Sequence, residues 1–280
     1  MYTFSIGVIL DSFRTDIPTA LAKAAAMGVQ GLQVYATRGA MSPEELVGSK
    51  RRDFLRQVQS HGLTISALCG DLGQGFTNAQ ANPRLIERSK RVLDLAKELD
   101  TNIVTTHIGV VPADPNCDRY KIMQEACHTL AEYADMMDAH FAVETGPETA
   151  ERLKGFLDGL GSTGVAVNMD PANLVMVTGD DPVAAVYTLQ DYIVHTHAKD
   201  GRKLRDVPAE VIYSNVDSAV QEGAAFIELP LGQGDVDFPN YLKALHDIGF
   251  EGFLTIEREV GENPEQDIAL AVAFLQQQIR

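Results

Sequence analysis

The sequence predicts an α/β protein with one (β/α)8 TIM-barrel domain over residues 1–280. Short apolar, β-branched stretches alternate with longer amphipathic stretches along the whole chain, and the pair recurs about eight times. Several amphipathic stretches end in glycine just before the next strand, which is typical of a helix-to-strand turn. An open doubly wound sheet, the alternative, would need a GxGxxG turn after the first strand, where the chain reads VILDSFRTD.

The spacing of apolar residues predicts each strand and each helix. Apolar runs predict strands at 4–10, 31–36, 64–70, 102–109, 140–146, 164–170, 192–198 and 252–258. Apolar residues three and four positions apart predict helices at 17–28, 42–62, 82–100, 118–141, 147–161, 180–190, 238–249 and 263–279. No linker, low-complexity tract or charge run interrupts the alternation, so we predict a single domain.

Composition and charge exclude several classes of protein. The chain is 45% hydrophobic and 22% charged, which is typical of a globular enzyme. No apolar run reaches the ~18 residues that a membrane span needs. The net charge of −16 repels a nucleic-acid backbone, so we expect no nucleic-acid partner. Three cysteines without a CxxC spacing, and a first segment unlike a signal peptide, predict a cytoplasmic protein.

Ionisable side chains stand where four of the predicted strands end. Active sites of such barrels lie at the carboxyl ends of the strands. Glu144, Asp170, His197 and Glu257 occupy those positions on strands five to eight. Such side chains are costly to bury unless they are paired or bind a cation. Their mixed oxygen and nitrogen donors suit one divalent ion: Mn²⁺, Mg²⁺, Co²⁺ or Zn²⁺.

The motifs around these residues resemble those of the xylose-isomerase-like TIM barrels, the sugar phosphate isomerase/epimerase family. The matching segments are AVETG around Glu144, NMDPANL around Asp170, VHTHAKDG around His197, LGQGDVDF at 231–238 and FLTIERE around Glu257. The resemblance covers the second half closely and the first half through the order of its elements. It implies that the four residues bind one divalent metal and, for the epimerase branch of the family, that Glu144 and Glu257 exchange protons with the substrate carbon.

Further polar residues are predicted to contact the substrate. His107 ends strand four, and Lys199 follows strand seven. His195 lies on the same strand face as His197, and it either orients a ligand, contacts substrate or is a satisfied core residue. Several family members have histidine three residues after the metal-binding aspartate, where this chain has Asn173. The asparagine at this position and the net negative charge of the chain argue against a multi-zinc endonuclease.

The predicted function is metal-dependent isomerisation or epimerisation of a small sugar or sugar phosphate. The cation would act as a Lewis acid and stabilise an enediolate formed by proton loss next to a carbonyl. Two carboxylates, Glu144 and Glu257, would serve as base and acid. The alternatives are an inosose-type dehydratase on the same scaffold and a non-catalytic barrel that binds sugar or metal. Homo-oligomers are common among such barrels, and no feature of the sequence fixes a symmetry.

Overall fold

A computed structural model describes residues 2–214 and 224–280 of the protein. Eight parallel strands form a closed barrel, and two further strands pair outside it. The strands are β1 Ser5–Ile9, β2 Gly31–Tyr35, β3 Thr64–Cys69, β4 Ile103–Thr106, β5 His140–Glu144, β6 Val165–Met169, β7 Ile193–Ala198, β8 Asp200–Lys203, β9 Phe226–Leu229 and β10 Phe253–Ile256. The barrel order is β1-β10-β7-β6-β5-β4-β3-β2, so the predicted fold class is confirmed.

Helices connect the strands in the predicted alternation, and two short helices among the described residues, Pro171–Asn173 and Ala209–Ser214, were not predicted. The helices are α1 Ile17–Ala26, α2 Ser49–Ser60, α3 Asn82–Glu98, α4 Asp118–Met136, α5 Ala150–Asp158, α6 Pro171–Asn173, α7 Pro182–Thr188, α8 Ala209–Ser214, α9 Phe238–Asp247 and α10 Pro264–Ile279. Their apolar faces, including Leu93 of α3 and Leu130 of α4, are fully buried with strand residues such as Phe141 and Val167. One hydrophobic core therefore joins the strands to the surrounding helices. In the described parts of the chain, no helix is long and apolar enough to cross a membrane.

The helix ends follow the local chemistry of the chain. Glycines with positive φ follow α1, α2 and α9, as their position before a strand predicts; they are Gly28, Gly62 and Gly249. Asp100 and Asp138 take the same left-handed conformation after α3 and α4, where the chain lacks glycine. Helix α2 begins seven residues later than predicted, because Gly48 has a φ of 57° immediately before it.

A two-stranded antiparallel sheet was not predicted from the sequence. Strand β8 follows β7 after one residue and pairs with β9, with Asp200 opposite Leu229 and Lys203 opposite Phe226. The DGRK sequence of β8 lacks the apolar alternation that identifies strands. This two-stranded sheet lies in the connection between the seventh and eighth barrel strands. That connection is at the end of the barrel where active sites form.

Candidate metal centre and active site

The four predicted ligands meet at one point in the barrel. Glu144 ends β5, Asp170 follows β6, His197 lies in β7 and Glu257 follows β10. These four strands are consecutive neighbours in the barrel, so residues far apart in sequence lie side by side. One donor atom from each side chain lies within 4.8 Å of all the others. All four residues are buried.

The spacing of these donors fits a single cation. His197 Nδ1 lies 3.6 Å from Glu144 Oε1, 3.4 Å from Asp170 Oδ2 and 3.3 Å from Glu257 Oε2. Ligand atoms about 2.1 Å from one ion lie roughly 3.0–3.4 Å from each other at neighbouring corners of an octahedron or tetrahedron. The three separations from His197 Nδ1 therefore need only a small contraction to match those of ligands around one ion.

Three of the four donor atoms also lack a hydrogen-bond partner. They are Asp170 Oδ2, His197 Nδ1 and Glu257 Oε2, each buried from solvent. Glu257 Oε2 does have an ion-pair contact with Lys199 Nζ at 3.0 Å. Buried polar atoms are normally hydrogen-bonded, and unpaired ones indicate a missing group such as an ion. The residues present therefore fit a divalent metal.

A hydrogen bond to Gln33 fixes the tautomer of His197. His197 Nε2 donates to Gln33 Oε1 at 3.0 Å, which leaves Nδ1 free to act as a ligand. Asn168 Nδ2 also lies 3.2 Å from the same Nε2. Asn168 Nδ2 already donates to Glu144 Oε2 at 3.1 Å, whereas Gln33 Oε1 can only accept, so Nε2 carries the proton that Gln33 accepts. Gln33 reaches His197 from β2, across the barrel interior.

A second layer of polar side chains lies below the ligands. Asn168 Nδ2 donates to Glu144 Oε2 at 3.1 Å, and its Oδ1 accepts from His195 Nδ1 at 3.0 Å. The other ring nitrogen of His195 accepts from Thr255 Oγ1 at 3.1 Å. Burial, together with the charge of His197, lowers the pKa of His195 well below 6.5. His195 is therefore a neutral, fully bonded link in this layer.

Two side chains contact Glu144 from the cavity side. Asn173 Nδ2 donates to Glu144 Oε1 at 2.9 Å, and His107 Nε2 lies 3.6 Å from the same oxygen. The ring of His107 also packs edge-on against Tyr213, with centroids 5.7 Å apart. The backbone N–H of Asn173 donates to Asp170 Oδ1 at 2.9 Å, because Asp170 is the N-cap of α6. This cap leaves Oδ2 as the free oxygen of Asp170.

Lys199 pairs with carboxylates on the opposite side of the cluster. Its Nζ lies 3.0 Å from Glu257 Oε2, 2.7 Å from Glu259 Oε2 and 4.0 Å from Glu228 Oε2. Arg258 Nη1 donates to Glu228 Oε1 at 2.6 Å. Lys199, Glu228 and Glu257 are buried, whereas the side chain of Glu259 is exposed, so the network reaches solvent only at Glu259. The network fixes the carboxylate of Glu257 next to a permanent positive charge.

The charges of the cluster are strongly interdependent. Burial opposes ionisation of Glu257, but Lys199 and His197 outweigh burial and hold its pKa well below 4.5. Burial likewise opposes protonation of His197, yet Glu257 and Glu144 raise its pKa well above 6.5. The pKa of Asp170 is raised, chiefly by burial. In the metal-free protein, a proton on His197 therefore supplies positive charge that the carboxylates need.

The cluster opens into a cavity of about 430 Å³. Its described wall includes the metal-cluster residues Glu144, His197 and Glu257, and the predicted substrate contacts His107, Asn173 and Lys199. Apolar side chains form another part of the wall, namely Met176, Val177, Ile212 and Phe226. The volume is suited to a small molecule.

The structure brings together all but one of the predicted site residues at the cavity or the cluster. Asp170 lies in the cluster beneath the cavity wall. His195 is 1% exposed and not part of the described wall, so its position does not support the predicted substrate contact and instead fits the alternative role of an orienting partner. Sequence reasoning missed Gln33 and Asn168. Polar residues in the otherwise apolar strands GLQVY and VAVNM were the available signal.

A glycine-rich loop at the same end of the barrel wraps around Asp200. The carboxylate accepts from Gly201 N at 2.8 Å and from Val236 N at 3.2 Å through Oδ1. It accepts from Gly232 N and Gly234 N, both at 2.9 Å, through Oδ2. Burial raises the pKa of Asp200, and these four donors act in the opposite direction. The LGQGDVDF motif thus forms an internal anion site that the chain fills itself.

Comparison with known structures agrees with the fold. A xylose isomerase domain protein from Planctomyces limnophilus superposes with a TM-score of 0.77 at 23% identity, covering 99% of this chain and 96% of that one. A probable 3-DHS dehydratase, AsbF, from Bacillus anthracis gives 0.76 at 18% identity, with coverages of 98% and 99%. The IOLI protein, solved with a zinc atom, gives 0.76 at 17% identity, with coverages of 99% and 98%.

A family profile identifies the family of this chain, and inosose dehydratases are among its sequence relatives. An inosose dehydratase from Clostridium tetani is 28% identical over 75% of this chain and 61% of its own length. The inosose dehydratase from Clostridium perfringens is 27% identical over 55% and 52%. The alignments thus span about half to two thirds of these relatives. The xylose isomerase-like TIM barrel profile matches residues 21–278. The chain therefore belongs to the xylose isomerase-like TIM-barrel family.

Proposed function

We propose that the protein is a divalent-metal-dependent isomerase or epimerase of a small sugar or sugar phosphate. The observation that carries the proposal is the convergence of four donors from four neighbouring strands, three of them without a hydrogen-bond partner, at the base of a cavity. Glu144, Asp170, His197 and Glu257 would hold the ion, which would be Mn²⁺, Mg²⁺, Co²⁺ or Zn²⁺. When bound, the ion would polarise the substrate carbonyl and stabilise the enediolate charge.

The two glutamates would carry the proton transfer. Glu144 and Glu257 end the two outermost of the four neighbouring strands, and both line the cavity. A substrate carbon between them would lose its proton to one carboxylate and regain a proton from the other, which inverts the carbon. If one glutamate returned the proton to the adjacent carbon, the outcome would be an aldose–ketose isomerisation. Both reactions begin with removal of a proton α to a carbonyl.

The other wall residues would hold the substrate in position. Asn173 and His107 contact the same oxygen of Glu144 and face the cavity, where they are placed to bond substrate hydroxyls. Lys199 would direct its ammonium at an oxygen that gains negative charge. His195 would support this arrangement through Asn168 without touching the substrate. Holding the substrate in its reactive geometry would raise the reaction rate, because the substrate's freedom of orientation is lost on binding and not in the transition state.

A dehydratase acting on the same class of ketone is the second candidate. The favouring observation is the buried ammonium of Lys199, which lies 3.0 Å from Glu257 and lines the cavity. Elimination needs one group to remove the α proton and another to stabilise the departing β-hydroxyl. Glu257 and Lys199 would act as such a pair. Several sequence relatives are named inosose dehydratases, which supports this candidate.

The test is solvent-exchange NMR in D₂O with Mn²⁺ and a panel of ketoses, ketose phosphates and cyclic polyhydroxy ketones. Deuterium at C3 of a ketose indicates epimerisation, and deuterium at C1 or C2 indicates isomerisation. A product that lacks one water relative to the substrate indicates the dehydratase. Exchange is expected with at least one compound, and metal binding without exchange on any of them would favour the non-catalytic alternative.

Glu144→Gln is the decisive variant in this assay. The substitution keeps the shape of the side chain and removes its capacity to accept a proton, so exchange should fall by about 10²–10⁴-fold at saturating Mn²⁺. Glu151→Gln, at an exposed position of α5, is the matched control and should exchange like wild type. Retained exchange in Glu144→Gln would contradict the role assigned to Glu144.

We also propose that the protein is located in the cytoplasm. Cys69, Cys117 and Cys127 are all free thiols, and Cys69 and Cys127 are buried. Free thiols are usual in a reducing compartment.

A further inference from the structure

Arg14 has a strained backbone conformation at the rim of the barrel. It follows a short 3₁₀ turn, Leu10–Phe13, that comes directly after β1, and its φ of 51° and ψ of 39° lie in the left-handed region. A residue with a Cβ atom takes this conformation at a steric cost, whereas glycine takes it without one. The surrounding structure must hold Arg14 there, and strain of this kind is concentrated at functional sites.

The side chain of Arg14 connects the loop after the first barrel strand to the loop after the last. Its Nη1 donates to the carbonyl oxygen of Gly261 at 2.7 Å, and its Nη2 donates to that of Glu259 at 2.6 Å. Both carbonyls belong to the loop after β10, the strand that pairs with β1. In the 3₁₀ turn, Ser12 Oγ accepts from Arg258 N at 3.3 Å. The loop after β1 therefore holds the loop after β10 at three points.

The loop held in this way brings a second carboxylate to Lys199. Glu259 Oε2 lies 2.7 Å from Lys199 Nζ, and Glu257 Oε2 lies 3.0 Å from the same nitrogen. The side chain of Glu259 is 58% exposed, so its position depends on where the backbone of the loop is held. Its backbone N–H donates to Glu228 Oε1 at 3.2 Å, and its carbonyl accepts from Arg14. The peptide groups on both sides of Glu259 are thereby fixed.

Lys199 and a bound cation would share one carboxylate oxygen. Glu257 Oε2 lies 3.3 Å from His197 Nδ1 and 3.0 Å from Lys199 Nζ. An ammonium paired with this oxygen alone would offset its charge and weaken it as a metal ligand. Glu259 lies closer to the ammonium than Glu257 does, and it takes part of that pairing. The position of Glu259 therefore affects how strongly Glu257 can bind an ion.

We propose that Arg14 is a positioning residue for the metal centre. It fixes the loop after β10 so that Glu259 holds the ammonium of Lys199 and leaves Glu257 Oε2 to the ion. This inference rests on the metal site of the proposed function and gives that site a support outside the cavity. Glu259 belongs to the described cavity wall and Arg14 does not, so Arg14 acts through Glu259. The guanidinium suits this role because its planar fork can donate to two acceptors in a fixed geometry.

The test is a double-mutant cycle on Mn²⁺ affinity, which needs no substrate. Isothermal titration calorimetry gives the dissociation constant for wild type, Arg14→Gly, Glu259→Ala and the double variant. Arg14→Gly should weaken binding about 10-fold, as the loss of a partner behind a ligand does. Glu259→Ala should weaken it at least as much. The double variant should bind like Glu259→Ala alone, because both substitutions remove the same contact with Lys199.

The variants separate positioning from a general loss of stability. Glycine at position 14 removes the guanidinium and the left-handed strain together, so the melting temperature in EDTA should stay close to that of wild type. Asp100→Gly is the matched control, because Asp100 is exposed, has a φ of 63° and precedes β4, at the end of the barrel opposite the site. It should bind Mn²⁺ like wild type. Arg14→Lys keeps the charge without the fork and should also bind more weakly than wild type.

Two outcomes would overturn the inference and leave the proposed function intact. One is a double variant weakened by the product of the two single effects, which would show that Arg14 does not act through Glu259. The other is unchanged or tighter binding in the Arg14 variants, which would show that the bonds to the loop do not support the site. If Arg14→Gly does not fold, Arg14→Lys takes its place in the cycle. Absence of Mn²⁺ binding by wild type would instead contradict the proposed metal site, and this inference with it.

Discussion

At the scale of single residues, the metal cluster depends on how its imidazole is held. His197 offers Nδ1 to the cluster because Nε2 is committed to Gln33 Oε1 at 3.0 Å. Gln33 is 1% exposed and lies on β2, across the barrel from the four ligand strands. Partners behind a ligand fix its orientation and its proton, and so contribute to the affinity of the site.

Gln33→Leu should weaken metal binding without removing a ligand. The leucine cannot accept the proton of His197 Nε2, so the ring loses its fixed tautomer, and we expect about 10–100-fold lower Mn²⁺ affinity. Isothermal titration calorimetry measures the dissociation constant. Gln59→Leu, on the exposed side of α2, is the control and should bind like wild type. Unchanged affinity in Gln33→Leu would mean that the bond to Gln33 does not support the site.

Metal binding should also release a proton. In the metal-free cluster the surrounding carboxylates raise the pKa of His197 well above 6.5 despite its burial, so the ring is protonated at pH 7. An ion at Nδ1 must displace that proton, and about one proton should leave per ion bound. The apparent affinity should therefore rise roughly tenfold per pH unit below that pKa. Calorimetry in two buffers of different ionisation enthalpy counts the protons, and a count of zero would refute this prediction.

The four residues of the candidate metal cluster could be predicted from the sequence, but only some of the side chains that support them could. Glu144, Asp170, His197 and Glu257 could be predicted because a barrel places strand ends at one rim. Asn168 was within reach of the same reasoning, because it lies two residues before Asp170 and shares its strand face. Gln33 is marked in the sequence only as a polar residue in an apolar strand, and its contact with His197 could not be predicted because it crosses the barrel between strands that are not neighbours. Cross-barrel contacts depend on side-chain length and strand stagger, which periodicity does not encode.

At the scale of elements, the spacing of apolar residues predicted the eight barrel strands and the main helices between them. It did not predict the two-stranded sheet of β8 and β9. Strand β8 is short and polar, and its pairing with β9 is fixed by a partner more than twenty residues away. Asp200 begins β8 and is held by the loop that precedes α9, so one carboxylate joins the two-stranded sheet to the rest of the barrel rim. Long-range bonding of this kind leaves no local signature.

Gly234→Ala should destabilise this loop. The added methyl would lie 2.1 Å from Asp200 Oδ1 and 2.5 Å from both the nitrogen and the oxygen of Gly201, and backbone atoms cannot move aside cheaply. We expect a loss of about 1–3 kcal/mol in the free energy of unfolding, measured by chemical denaturation. Gly155→Ala is the control, because nothing lies within 4 Å of its added methyl inside α5, and it should stabilise the helix slightly. Equal effects of both substitutions would show that the loop is not tightly closed.

At the scale of the whole molecule, barrel closure turns a scattered set of residues into one site. β10 pairs with both β1 and β7, so Glu257, near the end of the chain, lies beside His197. The net charge of −16 is partly concentrated there, in a cluster of buried carboxylates whose repulsion a cation would relieve. Stability and metal binding are therefore linked, since an ion that binds only the folded chain stabilises it.

One buried carboxyl away from the cluster should control how stability changes with pH. Glu148 is 2% exposed; its Oε2 accepts from Val111 N at 2.9 Å, and its Oε1 has no partner among the described residues. Burial raises its pKa from 4.5 to about 8, so the folded protein keeps this group neutral at pH 7. Because the folded pKa is raised, its contribution to stability is complete below about pH 4.5 and is lost as pH rises towards 8.

Glu148→Gln should remove this loss of stability with rising pH. Glutamine can keep the bond from Val111 N and never ionises, so the variant should gain on wild type by up to roughly 1.4 kcal/mol per pH unit between pH 5 and 8. Urea unfolding at several pH values measures the difference. Glu151→Gln, three residues along and exposed, is the control and should follow the wild-type curve. Parallel curves for wild type and Glu148→Gln would mean that Glu148 reaches solvent or a cation when it ionises, and that its burial does not govern alkaline stability.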